Sequence, residues 1–267
     1  MALMDMKERI PELADLVVTT SPLVQNITNL VVQNDTADAI AAVGGTQVTL
    51  HTLEEARPIA DICSALALNL GTLDENLLRS ARIAVETMNG RGRPWVLDPV
   101  AAGLTAYRGD AALEFLGLGP AVLKANASEV LAIASEGPRG HGADSVDPVE
   151  AAADAAGELA RRHRCVVVVT GAEDLVTDGV RTATVRNGHP MMGRMIGAGC
   201  MLTSVMGCFL AVGDDPFESA VAAAACFGVA GELAAERSAG PGTLKPQLID
   251  ALHNLETGTL QSRLRVA

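Results

Sequence analysis

Ala121-Val122-Leu123-Lys124-Ala125-Asn126-Ala127-Ser128-Glu129-Val130-Leu131-Ala132-Ile133-Ala134 sets the fold in a single stretch. Residues 121–124 form a short apolar run, the signature of a buried strand. Asn126-Ala127-Ser128-Glu129 then reads as a helix start, with Asn126 as N-cap and Glu129 three residues on. The Ala-rich segment 127–134 follows as a helix. The same succession of apolar run, polar or glycine turn and Ala-rich helix recurs outward in both directions. Strands are expected at residues 23–27, 65–70, 94–98 and 165–169, and helices at 33–43 (closed by Gly44-Gly45), 75–88, 111–116 and 148–162. Apolar runs buried on both faces and alternating with helices define an α/β fold with a parallel, doubly wound sheet. Residues 175–185 break the rhythm: Asp178-Gly179 between β-prone residues predicts a tight antiparallel hairpin. Three largely helical stretches, 197–212, 217–236 and 247–255, complete a chain read as one domain over residues 1–267.

Composition limits what such a domain does. Of the 267 residues 49% are hydrophobic but only 2% aromatic, so Ala, Val, Leu, Ile and Met must fill the interior. The net charge of −12, without any Lys/Arg cluster, disfavours nucleic acid and anionic membrane surfaces as partners. An anionic ligand would need a local positive field, which helix N-termini supply. Residues 1–11 carry Asp5, Lys7, Glu8 and Arg9 and no apolar signal core, and no uninterrupted apolar run is of membrane-spanning length. A cytoplasmic protein is expected, with the sequons at Asn26 and Asn126 unglycosylated. The five cysteines lack zinc-site spacing. Cys63, Cys165, Cys208 and Cys226 read as small buried hydrophobes, while Cys200 is set apart by its neighbours.

The chain contains neither Gly-x-x-x-x-Gly-Lys-Ser/Thr nor Gly-x-Gly-x-x-Gly, so an anion must be held another way. Gly197-Ala198-Gly199-Cys200, before the apolar Met201-Leu202-Thr203-Ser204-Val205-Met206, can turn consecutive backbone N–H groups toward one point at a helix N-terminus. Cys200 there is expected to have a lowered thiol pKa and to take a proton from, or hydrogen-bond to, an attacking hydroxyl. The alternative is a buried helix-start cysteine. Asp98, closing its strand before Pro99, and Glu129 read as a pair of oxygen ligands for the Mg²⁺ that accompanies ATP, although Glu129 also fits a capping box. Lys124 is either a phosphate contact or a solvated strand end; Thr170 with Gly171 is either a phosphate-side hydroxyl or an ordinary turn. His51, and His189 in Asn187-Gly188-His189-Pro190, read as structural. Asn29, Asn69, Asp98, Asn126 and Thr170 all fall at expected carboxyl ends of strands, where parallel sheets gather ligands, so one composite site is expected.

In order and spacing, five stretches resemble the hydroxyethylthiazole kinase family of the ribokinase-like superfamily. They are residues 24–32 with Ile27-Thr28-Asn29; Asp98-Pro99-Val100-Ala101-Ala102-Gly103-Leu104-Thr105-Ala106-Tyr107-Arg108; Asn126-Ala127-Ser128-Glu129; Val169-Thr170-Gly171-Ala172; and Asn187-Gly188-His189-Pro190 through Cys200. Gly240-Pro241-Gly242-Thr243 also fits, so the likeness spans nearly the whole chain. Cys200 is telling, because most ribokinase-like relatives have an aspartate base there. The resemblance implies a three-layer α/β/α sandwich with a mostly parallel central sheet and a small antiparallel hairpin. It implies transfer of the γ-phosphate of ATP, with Mg²⁺, to the hydroxyl of 4-methyl-5-(2-hydroxyethyl)thiazole in thiamine salvage, by a homotrimer with sites at its interfaces. Carried over, Lys124 and Thr170 contact ATP and Asp98 and Glu129 manage Mg²⁺. Thr49, Gly197 and Asn26 line the alcohol, and Gly197, Ala198, Gly199 and Cys200 carry the chemistry.

The chain departs from the family pattern at several places. Gln25-Asn26 stands for His-Cys, Thr49 for Met, Lys124-Ala125 for Arg-Gly and Ala101 for Gly. Lys124 keeps the charge and loses the bidentate fork, while Asn26 and Thr49 make the alcohol pocket more polar. The alternatives are a kinase of another heterocyclic alcohol, such as a hydroxymethylpyrimidine, and a non-catalytic ligand-binding regulator on the same scaffold.

Overall fold

The computed structural model describes residues 3–49, 52–135 and 149–267; His51 and Pro148 lie outside the described residues. In chain order the first half runs α1 (Leu3–Thr20), β1 (Leu23–Ile27), α2 (Gln33–Ala42), β2 (Thr46–Val48), α3 (Leu53–Ile62), β3 (Ala65–Asn69), α4 (Glu75–Gly90), β4 (Trp95–Asp98), α5 (Ala106–Gly117), β5 (Val122–Asn126) and α6 (Ala127–Ala134). The second half runs α7 (Val149–His163), β6 (Val166–Thr170), β7 (Asp174–Thr177), β8 (Thr182–Val185), α8 (Ala198–Val212), α9 (Pro216–Glu236), α10 (Pro241–His253) and α11 (Thr257–Arg263), with a 3₁₀ turn, Pro190–Arg194, before α8.

The strands form one sheet in the order β2-β1-β3-β4-β5-β6-β7-β8. β2 through β6 are parallel, and β7 and β8 add antiparallel. Alternation along the strands divides the core in two. Val24, Ala67, Val96, Val122 and Val168 pack with α1, α2, α8, α9 and α10 on one face. Leu66, Leu68, Leu97, Leu123, Val167 and Val169 pack with helices α3 to α7 on the other. This is the expected three-layer sandwich, and both faces of the central strands are buried because each is roofed by helices. The hairpin is also as expected: Asp178 Oδ1 accepts from Val180 N (2.9 Å) and Arg181 N (2.6 Å), and Gly179 takes φ +84°.

Several bounds differ from the sequence reading. α5 starts at Ala106 rather than residue 111, because Thr105 Oγ1 caps it by accepting from Arg108 N (3.3 Å). α10 starts at Pro241 rather than residue 247, with proline at its first turn where no donor is needed. α1 and α3 went unread: they contain Pro11 and Pro58, which discourage a helix locally, yet burial of Ile10, Leu13 and Val17, and of Ala56 and Ala60, outweighs that cost. α9 is long and apolar enough to cross a membrane by composition, but 89% of its apolar window is buried in the protein core.

From β1 the sheet grows to β2 on one side and to β3 on the other. At such a reversal the loops leaving neighbouring strands part, opening a crevice at the carboxyl ends of β1 and β3. α8 packs on β1, β3 and β4 and brings its N-terminus to this end.

Candidate active site

Gly197 begins the site with a backbone at φ +94° that side chains rarely adopt; a Cβ there would meet Val32 Cγ1 at 2.6 Å. Glycine is required by both torsion and space. The first intrahelical bond of α8 runs from Met201 N to Gly197 O (2.8 Å), which leaves the amides of Ala198, Gly199 and Cys200 without helical acceptors. No side chain caps them. Lys124 lies directly behind: a Cβ on Gly199 would be 3.2 Å from Lys124 Nζ. Partial positive charge from the helix and a full charge from Lys124 therefore converge on the glycine turn.

Lys124 is not a solvated strand end. It is buried on β5 and paired with Asp98 Oδ2 at 3.1 Å. Burial pulls its pKa down, but the negative potentials of Asp98, Cys200 and Glu129 outweigh burial and the net shift is upward, so the ammonium persists at neutral pH. Asp98, also buried, loads one oxygen heavily: Oδ2 accepts from Asn69 Nδ2 (2.8 Å), Lys124 Nζ (3.1 Å) and Thr203 Oγ1 (2.7 Å). Oδ1 takes no hydrogen bond among the described residues and is the oxygen open to a ligand.

Glu129 realises its capping box, with Oε2 accepting from Asn126 N (2.8 Å) and Asn126 Oδ1 accepting from Glu129 N (3.0 Å). Its Oε1 accepts from Ala101 N at 2.6 Å, tying down the turn after β4. Burial and Asp98 push its pKa up against the opposing pull of Lys124 and the two amides. Among the described residues no three His, Cys, Asp or Glu side chains cluster to hold a metal. Asp98 and Glu129, coupled electrostatically and both oxygen donors, fit a hard cation that takes its remaining ligands from phosphate and water.

Cys200 corrects the expectation of a lowered pKa. Burial and the Asp98 carboxylate raise it above an ordinary thiol, outweighing Lys124 and the amides of Asn69 and Asn29. The helix-end field that was expected to favour thiolate is overridden by desolvation and a nearby negative charge. The remaining cysteines, Cys63, Cys165, Cys208 and Cys226, are buried as read.

Thr49 follows β2 and lies partly open, donating to Gln47 Oε1 (2.6 Å). Asn26 stands behind it with every polar group engaged: Nδ2 donates to Thr36 Oγ1 (3.0 Å) and Thr49 Oγ1 (3.1 Å), and Oδ1 accepts from Ser204 Oγ (2.9 Å). Thr170 ends β6 beside Asn126 in register. Sequence reasoning missed Thr203 and Ser204, hidden in an apolar helix; hydroxyls one turn beyond a glycine pair were the available signal. It named Asn29 and Asn69 only as strand-end residues.

The fold and this site define a class before they define a family. Pyridoxal kinase from Staphylococcus aureus, solved in complex with ADP, superposes with a TM-score of 0.64 over 79% of this chain and 88% of its own, at 17% identity; the likeness puts the chain in the ribokinase-like fold class. A solved hydroxyethylthiazole kinase from Pyrococcus horikoshii OT3 is far nearer, with a TM-score of 0.91, 38% identity, and coverage of 97% of this chain and 98% of that one. The sequence model of the hydroxyethylthiazole kinase family matches residues 15–258. Relatives named hydroxyethylthiazole kinase include one from Cereibacter sphaeroides (45% identical, covering 92% of this chain and 94% of the relative) and one from Granulibacter bethesdensis (43%, covering 97% and 94%). The chain belongs to the hydroxyethylthiazole kinase family.

Proposed function

We propose that this protein transfers the γ-phosphoryl group of ATP to the hydroxyl of 4-methyl-5-(2-hydroxyethyl)thiazole in thiamine salvage. One observation carries the reading: three uncapped amides at the start of α8 converge with the buried Lys124 ammonium on one point beside Asp98. The migrating phosphoryl group is held there by charge and by donors that need no reorganisation. The alcohol oxygen attacks γ-phosphorus, the bond from that phosphorus to the bridging oxygen breaks, ADP leaves, and the hydroxyl proton passes to the phosphoryl oxygens or solvent.

Thr49 and Gly197 form the alcohol side, with Asn26 supporting Thr49 from behind; Lys124 and Thr170 form the ATP side. Asp98, through Oδ1, and Glu129 would hold Mg²⁺, which when bound neutralises phosphate charge. A Cys200 thiol that stays protonated at neutral pH serves first as a hydrogen-bond partner of the attacking hydroxyl. We infer a single-domain subunit in a cytoplasmic homotrimer; the exposed Leu30, Val31 and Ile196, apolar side chains flanking Val32 and Gly197 at the crevice, support the self-association alone.

Steady ADP production with the thiazole alcohol, measured beside a panel of more polar heterocyclic alcohols, tests the proposal. Thiazole-dependent turnover is expected, and Asp98→Ala should reduce it by about two orders of magnitude or more, the scale of one preorganised electrostatic group. Binding of the alcohol without ADP release would overturn it in favour of a regulator.

A further inference from the structure

Between Asp98 and Cys200 runs a chain of side-chain amides that the phosphoryl-transfer scheme leaves without a role. Asn69 Nδ2 donates to Asp98 Oδ2 (2.8 Å), and Asn69 Oδ1 accepts from Gly71 N (3.0 Å) and from Asn29 Nδ2 (2.8 Å). Asn29 Nδ2 also donates to Cys200 Sγ (3.5 Å), while Asn29 Oδ1 accepts from Val31 N (3.1 Å). Both amides are buried. Their orientations are forced, since the backbone N–H groups of Gly71 and Val31 can only donate and must each face an oxygen. Asn69 Nδ2 is then turned to the carboxylate, and Asn29 Nδ2 to both Asn69 Oδ1 and the sulfur.

The ring closes through α8: Thr203, three residues beyond Cys200, donates to the same Asp98 oxygen. Space is kept for it as well. A Cβ on Gly71 would meet Asn29 Cβ at 2.5 Å and Nδ2 at 2.6 Å, so glycine leaves the room that Asn29 fills. Arg108 pins that backbone by donating to Leu70 O (3.0 Å), Gly71 O (2.5 Å) and Val100 O (3.0 Å).

We propose that Asn29 is a positioning residue acting through Cys200, with Asn69 fixing its amide to Asp98. It keeps an N–H donor on one side of the sulfur and sets the distance between sulfur and carboxylate, so that the thiol's other side is presented to the attacking hydroxyl. The kinetic part of this inference rests on the kinase reading; the geometric part does not.

Two measurements on the full chain test it separately. Iodoacetamide alkylation of Cys200 at pH 8, followed by mass spectrometry without ATP, reads the amide–sulfur contact directly. Asn29→Leu, close in shape but without the donor, should slow alkylation by about threefold or more by removing a hydrogen bond that favours thiolate. An unchanged or faster rate overturns the proposal. Should Asn29→Leu fail to fold, Gly71→Ala, which displaces the unaltered Asn29 side chain, is expected to slow alkylation likewise. In turnover, Asn29→Leu should lower kcat by about tenfold with KM for ATP changed by less than about twofold, and add nothing to Cys200→Ala, since residues acting as a unit are not additive. Equal loss in the Cys200→Ala background overturns action through the sulfur. An inactive wild type would sink the kinase reading, while alkylation would still decide whether Asn29 positions Cys200.

Discussion

At the scale of single residues, Ala101 holds a left-handed backbone, φ +59°, in the turn after β4. An L-residue there costs about 1–2 kcal/mol, part of which glycine would return as unfolded-state entropy. Glu129 Oε1 accepting from Ala101 N explains how the strain is tolerated. Ala101→Gly should raise stability by about 0.5–1 kcal/mol, the difference between those two terms, seen as a higher urea midpoint. A lower midpoint would mean the turn is not strained. Cys200→Asp is expected to keep turnover: burial and Asp98 would raise the new carboxyl as they raise the thiol, making it a competent base near neutral pH. Complete loss of activity, with the fold intact, would argue that sulfur does something a carboxylate cannot.

At the scale of elements, two helix starts share the site. α8 offers its free amides to a ligand, whereas α6 satisfies its own through the capping box of Asn126 and Glu129. Glu129 is thus a structural anchor in its own right. Glu129→Ala leaves the Asn126 cap in place but removes the return hydrogen bond from Asn126 N, worth about 0.5–1.5 kcal/mol, and orphans the buried Ala101 amide at about 1–3 kcal/mol. Denaturant titration should register about 2–4 kcal/mol of lost stability from these terms together. A variant that loses turnover at unchanged stability would assign Glu129 to the ligand alone. Thr203 ties α8 to the sheet, since its hydroxyl bridges the second turn of α8 to the end of β4.

Across the whole molecule, pH dependence is set partly by Asp174 at the start of β7. Burial raises its pKa from 3.8 to about 6, despite the hydrogen bond from Gly171 N (3.0 Å) and the pull of Lys124. The native state therefore holds this proton more tightly than the unfolded chain. Its contribution to stability is most favourable below about pH 4, declines between about 4 and 6 as the native group ionises, and is lowest above that. Asp174→Asn keeps an acceptor for Gly171 and should stabilise the protein at pH 7.5 by about 1–3 kcal/mol, an advantage gone by pH 4. Thermal unfolding at the two pH values checks it; an equal effect at both would exclude titration as the cause.

The apolar runs and their helical partners were legible because strand burial on both faces leaves a continuous hydrophobic signal, as at Val166-Val167-Val168-Val169. The hairpin at Asp178-Gly179, the glycine turn before Cys200 and the strand-end positions of Asp98 and Asn126 were legible for a related reason, since each is dictated by local torsions or local hydrogen bonds. Tertiary structure alone decided the rest. It brought Lys124 under Gly199 and Thr203 onto Asp98, overrode Pro11 and Pro58 in α1 and α3, and turned the expected lowering of the Cys200 pKa into a rise. Those outcomes depend on desolvation and on charges contributed by residues far apart in the chain, and neither is encoded in any local stretch of sequence.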